Sequence, residues 1–182
     1  LDIVRSNFPP AFRDLMTFVL KSILNKVDKE IIDDKILNFK KEMKNESIYD
    51  IALPTGVKGI NKFTGKIKGK FKTNQEFTEF KKGTPVHVKA VIRYNDLLKY
   101  HNKINYEPIR NSDKIKWVYL TQNPFNIDAL AFKGYDDPQE ILDFITEHID
   151  YEKLYDRGLH KKIRMFYDAL EWSLPIDKKN TL

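Results

Sequence analysis

Six lysines, Lys58, Lys62, Lys66, Lys68, Lys70 and Lys72, fall within fifteen residues with no acidic residue between them. They are interleaved with Thr55, Gly56, Gly59, Asn61, Gly65 and Gly69, small or polar residues that let backbone N–H groups come close to an anion. The chemistry this pattern supports is phosphate binding by charge and main chain, with no nucleophile and no titrating acid. From Pro54 to Lys103 there are twelve basic and three acidic residues, a net of +9, whereas the whole chain carries +6. The rest of the chain therefore sums to −3, and the basicity is regional. A solvated lysine loop would give the same count, but the accompanying glycines and small polar residues favour a phosphate partner.

Other candidate chemistry falls away on spacing. His87, His101, His148 and His160 include no pair at the separation of a metal-binding helix motif. Gly59 to Lys66 has the outline of a P-loop, yet five residues separate Gly59 from Gly65-Lys66 where the motif has four. Ile67 also stands where the magnesium-binding Ser or Thr belongs. Asp136-Asp137, just before Pro138, reads as a helix cap rather than a metal-binding pair. Gly56-Val57-Lys58-Gly59 has the shape of the backbone clamp of KH domains, a match of only four residues. There is no cysteine, which excludes disulfides and thiolate chemistry, fits a reducing compartment, and leaves the Asn45-Glu46-Ser47 sequon without meaning.

The chain that must position these residues is 182 residues long, 41% apolar and 32% charged. That is one domain of ordinary size, or one with an appendage, and neither a disordered nor a collagen-like chain. No apolar run approaches the ~20 residues of a bilayer span and no signal peptide is visible, so the reading is a soluble protein without a membrane partner. The start at Leu1, with no initiator Met, suggests a piece of a longer polypeptide.

Pro9 and Pro10 followed by Phe12, Leu15, Met16, Val19, Leu20, Ile23, Leu24 and Val27 predict a long amphipathic helix. Ile32, Ile36, Phe39 and Met43 predict a second one over 28–44. Ser47 to Leu53 reads as extended, leading into a turn at Pro54-Thr55-Gly56 and the lysine-rich stretch. Asn74 to Lys81 is ambiguous, with a helical turn as one reading. Thr84-Pro85 opens a helix to about His101, with Val86, Ala90, Tyr94, Leu97 and Leu98 on one face and His87, Lys89 and Arg93 on the other. Segments 115–121 and 128–133 predict a hairpin. Asp137-Pro138 caps a helix through Ile149, and a last helix covers 159–172 with Leu159, Ile163, Phe166, Tyr167 and Leu170 inward. The fold class expected is mainly α with a small β element.

Leu1-Asp2-Ile3-Val4-Arg5-Ser6-Asn7-Phe8-Pro9 is similar to the passage Gly-Leu-Asp-Ile-Val-Arg-Arg-Asp-Trp that leads from palm to thumb in family B DNA polymerases, and the segments below resemble, in order, the thumb of that family, most closely that of T-even-like phages. Thr84-Pro85-Val86-His87-Val88-Lys89-Ala90 and then Ile109-Arg110-Asn111-Ser112-Asp113-Lys114-Ile115-Lys116-Trp117-Val118-Tyr119 resemble Pro-His-Val-x-x-Ala followed by Gly-Asp-x-Ile-x-Tyr-Val. His148-Ile149-Asp150-Tyr151 resembles the closing Asp-Tyr segment, and Ile51-Ala52 to Lys62-Phe63 fits the loop of the phage thumbs. The chain departs from the pattern at Asn7-Phe8-Pro9 and in a longer stretch from Gly65 to Lys82.

The resemblance implies a palm-to-thumb connection over 1–10 and a thumb over 11–182. The thumb would comprise a helical base at 9–45, a basic DNA-facing part at 54–103, and a hairpin with C-terminal helices at 114–175. It implies a thumb that grips primer–template duplex without reading its sequence, in one piece or as a split subunit with palm, fingers and exonuclease elsewhere. Lys58, Asn61 and Lys62 would track the duplex backbone; Lys81, Lys82, Thr84 and His87 would add a helix N-terminus; Arg5 and Ser6 would lie near the primer strand. The Asp-x-x-Ser-Leu-Tyr-Pro and Tyr-Gly-Asp-Thr-Asp motifs that hold the two metal ions do not occur in the sequence, so Mg2+ would belong to the palm and this chain, with no cofactor of its own, would be inactive alone. A tail beyond Leu182 would reach a sliding clamp, and the setting would be the cytoplasm of an infected host cell. Two other readings remain open: a free-standing module for RNA or single-stranded DNA, stacking bases on Phe63, Phe71, Phe77 and Phe80, and an adaptor whose basic face docks an acidic protein.

Overall fold

A computed structural model describes residues 8–70 and 76–176, with backbone alone over 66–70 and at 76. In chain order the elements are α1 (Pro10–Leu24), α2 (Lys29–Glu42), a 3₁₀ turn at Met43–Asn45, α3 (Ile48–Ile51), β1 (Leu53–Gly56), α4 (Ile60–Phe63), β2 (Thr64–Lys70) and β3 (Glu76–Phe80). There follow α5 (Val86–Tyr100), β4 (Lys114–Tyr119), β5 (Ala129–Phe132), α6 (Gln139–His148), α7 (Tyr151–Tyr155), a wide π turn at Asp156–His160 and α8 (Lys161–Ala169). Helix dominates and strand is confined to short antiparallel pieces, so the fold is mainly α with a small β element. Among the described residues no helix is long and apolar enough to cross a membrane.

The chain divides into two units, residues 1–51 with 151–182, and residues 52–150. The first is helical. Pro10 at the first position of α1 gives up an N–H that has no partner there anyway; Phe12, Leu15, Met16 and Val19 form its buried stripe, Ile32 and Ile36 are the buried residues of α2, and the two helices meet where Phe12 packs edge-on against Phe39. Leu24, expected on that stripe, is 72% exposed, because the helix ends there. Lys26 turns left-handed at φ 55, Lys26 N donates to Ile23 O and Val27 N to Ser22 O, which satisfies the last carbonyls. In α8, Tyr167 is buried and its hydroxyl donates to Asp33 Oδ1 on α2 at 2.5 Å, and Trp172 packs edge-on against Tyr167 at 5.4 Å.

The second unit is built on the antiparallel sheet β1-β4-β5, with Leu53 opposite Trp117 and Trp117 opposite Ala131. Trp117 also stacks edge-on with Tyr119 at 4.8 Å. Helix α5 packs on β5, and the ribbon β2-β3 packs on α5. That double cover explains why Val88, Ala90, Val91, Ile92, Tyr94 and Leu97 are buried, more than one helical face would supply. Val86, expected inward, is 41% exposed at the first turn. The end of α6 is tied to β4 by Thr121 N donating to His148 O and Asp150 N to Tyr119 O.

Three local readings change. Ser47 to Leu53 is not extended: Asp50 N donates to Ser47 O and Tyr49 N to Ser47 Oγ, starting the turn of α3 that sends Ile51 and Ala52 into buried positions. The strand instead occupies the supposed turn at Leu53–Gly56, because β4 offers it a partner. Asn74 to Lys81 contains strand β3 rather than a helical turn, within its described part.

Candidate nucleic-acid interface

Lys58 precedes α4, and Asn61 and Lys62 lie on it; all three are exposed. The short helix is closed at both ends. Ile60 N donates to Asn111 Oδ1 at 3.0 Å, and Thr64 Oγ1 donates to Ile60 O at 2.7 Å. Its N-terminus therefore has no free donor at Ile60, and what α4 offers a ligand is side-chain charge. The Lys62 ammonium stands 5.3 Å over the Phe63 ring.

Lys81 and Lys82 follow β3 in a turn whose third residue, Gly83, takes φ +82, a conformation that a Cβ would strain. Both lysines are exposed. Lys81 N donates to Phe63 O at 3.1 Å, and Thr64 pairs with Phe80 across the ribbon. These contacts bring the α4 turn and the Lys81-Lys82 turn, some twenty residues apart in sequence, side by side. Among the described residues, Lys58, Lys62, Lys81 and Lys82 have no ion-pair partner. Glu79 on β3 is the acidic side chain nearest to them in sequence, and it is exposed.

Thr84 is buried, and its hydroxyl donates to Lys81 O at 2.5 Å. It shapes the turn, with its own donor already spent. His87 sits half-buried in the first turn of α5, and burial lowers its pKa below the ordinary 6.5, which disfavours its charged form. Pro85 occupies the N-cap of α5 and no side chain among the described residues caps it. Arg5 and Ser6 lie outside the described residues.

The ribbon is held to α5 by a buried group. Asp96 Oδ2 accepts Thr78 N at 3.1 Å and Arg93 at 2.9 Å, Asp96 Oδ1 accepts the Thr78 hydroxyl at 2.6 Å, and Arg93 donates to Thr78 O at 2.7 Å. The Arg93 guanidinium lies 4.0 Å over the Phe80 ring. Phe77 is 1% exposed and packs against Tyr100 and Phe125. Neither Phe77 nor the covered face of Phe80 is open to a base, which takes away one of the stacking platforms that a single-strand module would need and one face of another. Phe71 lies outside the described residues.

Where Gly65 meets β3, a Cβ would come within 2.7 Å of Glu79 O. Backbone cannot move aside as a side-chain tip can, so Gly65→Ala forces the two strands apart. The expected cost is about 1–3 kcal/mol, read as a lower thermal midpoint together with faster hydrogen exchange of the β3 amides. An unchanged midpoint would show that the strands are not held at this spacing.

Asp137 is not a helix cap. Pro138 holds the N-cap of α6, and the Asp137 carboxylate instead accepts Lys133 N, Gly134 N and the Tyr94 hydroxyl, each at 2.8 Å. Among the described residues no group of three or more His, Asp or Glu could hold a metal ion. One basic face went unread in the sequence: Arg157, Lys161 and Arg164 are all exposed along the π turn and α8 of the first unit. Their spacing of four and three residues was the available signal. No protein-family model matches this chain, and no curated protein is detectably similar to it in sequence.

Proposed function

We propose that this chain is the thumb of a family B, phage-type DNA polymerase, gripping primer–template duplex through its phosphates during replication and inert without the palm. The observation that carries this reading is the adjacency of two exposed lysine turns, Lys58 with Lys62 and Lys81 with Lys82, without ion-pair partners among the described residues and joined by the Lys81 N to Phe63 O bond. Lysine ammoniums on short, fixed turns recognise phosphate charge and not base edges, which is what a surface passing every product sequence requires. The uncapped first turn of α5 adds N–H groups and the positive end of a 15-residue helix beside Lys82. Partners on this reading are the primer–template, the palm, fingers and exonuclease of the same enzyme, the palm's Mg2+, and a sliding clamp, in the cytoplasm of an infected cell.

Fluorescence anisotropy over a salt series tests it, with primer–template duplex, single-stranded DNA and duplex RNA as probes. If about five phosphates are neutralised, log affinity for duplex falls against log salt with a slope of about −4 to −5. The Lys58→Ala/Lys62→Ala/Lys82→Ala variant, altered only at exposed positions, should bring the slope to about −2. A preference for single strands would replace the thumb by a single-strand module. Absence of nucleic-acid binding even at low salt would reassign the basic face to an acidic protein.

A further inference from the structure

Among the described residues, ribbon β2-β3 is a two-stranded sheet with no third strand to pair with. Thr78, in the middle of β3, directs both its N–H and its C=O away from β2 and toward α5, where Asp96 accepts the first and Arg93 donates to the second. One turn of helix, through two side chains three residues apart, thus does for Thr78 what a neighbouring strand would do. The carboxylate also takes the Thr78 hydroxyl, so three donors converge on it, in a side chain 7% exposed. An isolated two-stranded ribbon is marginal in water, and the position of this one depends on that attachment.

We infer that Asp96 is a positioning residue for the phosphate grip: with Arg93 and Thr78 it fixes β3, and β3 fixes the lysine turns at either side of its end. The link is continuous along the backbone. Thr78 lies two residues before Phe80, which pairs with Thr64. The next residue, Lys81, is bonded to Phe63 beside Lys62. Asp96 itself is buried and touches no ligand. This inference rests on the duplex-gripping reading above and adds to it a residue that charge counting would score as unfavourable to DNA.

The test compares wild type with Asp96→Asn, Thr78→Val and Thr78→Ser, in duplex anisotropy over a salt series and in hydrogen exchange. Valine removes only the hydroxyl donor, so it keeps the test alive if Asp96→Asn does not fold; serine restores that donor. Asp96→Asn and Thr78→Val should bind duplex about tenfold more weakly at low salt, with a slope shallower by about 2 as Lys81 and Lys82 leave the grip. Thr78→Ser should match wild type. In both weakened variants the β3 amides should exchange faster while those of α1 and α2 keep their protection. A merely structural role would lower stability and leave the slope unchanged, and that result overturns the inference. Failure of wild type to bind duplex at all would instead sink the thumb reading, and this inference with it.

Discussion

Asp137→Ala should destabilise the 52–150 unit by about 3 kcal/mol. The carboxylate is the acceptor for three donors, Lys133 N, Gly134 N and the Tyr94 hydroxyl, and Tyr94 is wholly buried. Removing it leaves those donors without a partner, at about 1–3 kcal/mol for each one that water cannot reach. Tyr94→Phe takes away one donor and leaves the carboxylate on its two backbone N–H groups, so about 1 kcal/mol is expected. Hydrogen exchange of the α5 amides measures both. A loss below 1 kcal/mol in Asp137→Ala would mean that the turn after β5 rehydrates freely.

The same pair gives the unit an alkaline limit. Burial first, and the Asp137 charge second, raise the Tyr94 pKa far above the ordinary 10.0. The folded state therefore binds this proton more tightly than the unfolded state does. Its contribution is fully present below pH 10 and declines as pH rises beyond it toward the folded value. In the helical unit, burial pushes Tyr155 up to about 12, and burial with the Asp33 bond raises Tyr167 further. Both units should lose stability above pH 10, and Tyr94→Phe should flatten that loss in the second unit alone. A wild-type profile level to pH 12 would contradict the assignment.

Phe12→Ala is expected to cost the helical unit about 3–5 kcal/mol, enough to unfold a domain of ordinary stability. Phe12 is 0% exposed, and its ring meets Phe8 edge-on at 6.0 Å and Phe39 at 5.8 Å. Truncation removes these contacts and leaves a cavity between α1 and α2 that close-packed neighbours cannot fill. Leu24→Ala, on the same helix but 72% exposed, should change stability by under about 0.5 kcal/mol. Urea midpoints decide the matter: comparable effects from the two substitutions would show that the helix does not bury the face described here.

Helices α1 and α5 were legible because a proline at the start and apolar residues at helical spacing agree with each other, and α2 because the same spacing lies between an acidic first turn and a basic end. The β4-β5 hairpin was legible from two short apolar runs on either side of Asn123-Pro124, although burial follows strict alternation in neither strand. What was not legible was decided at a distance. Strand β3 reads ambiguously as Glu76-Phe77-Thr78-Glu79-Phe80, and it is a strand because β2 pairs one edge and Asp96 with Arg93 satisfy the other. Lys66, Lys68, Lys70 and Lys72 do alternate, a strand signal hidden under their charge. At the candidate interface, the exposed lysines were readable from composition alone. Thr84 was not, because a threonine before a helix looks the same whether its hydroxyl waits for a phosphate or is already bonded to Lys81 O.

Each unit contains one of the chain's two tryptophans, Trp117 beside Tyr119 in the sheet and Trp172 against Tyr167 at the end of α8. Intrinsic emission is thus already partitioned between the two halves of the molecule, without labels. A version keeping only Trp117 reports on the sheet unit and a version keeping only Trp172 on the helical one, so whether the halves melt as one cooperative body or as two can be read from a pair of fluorescence curves.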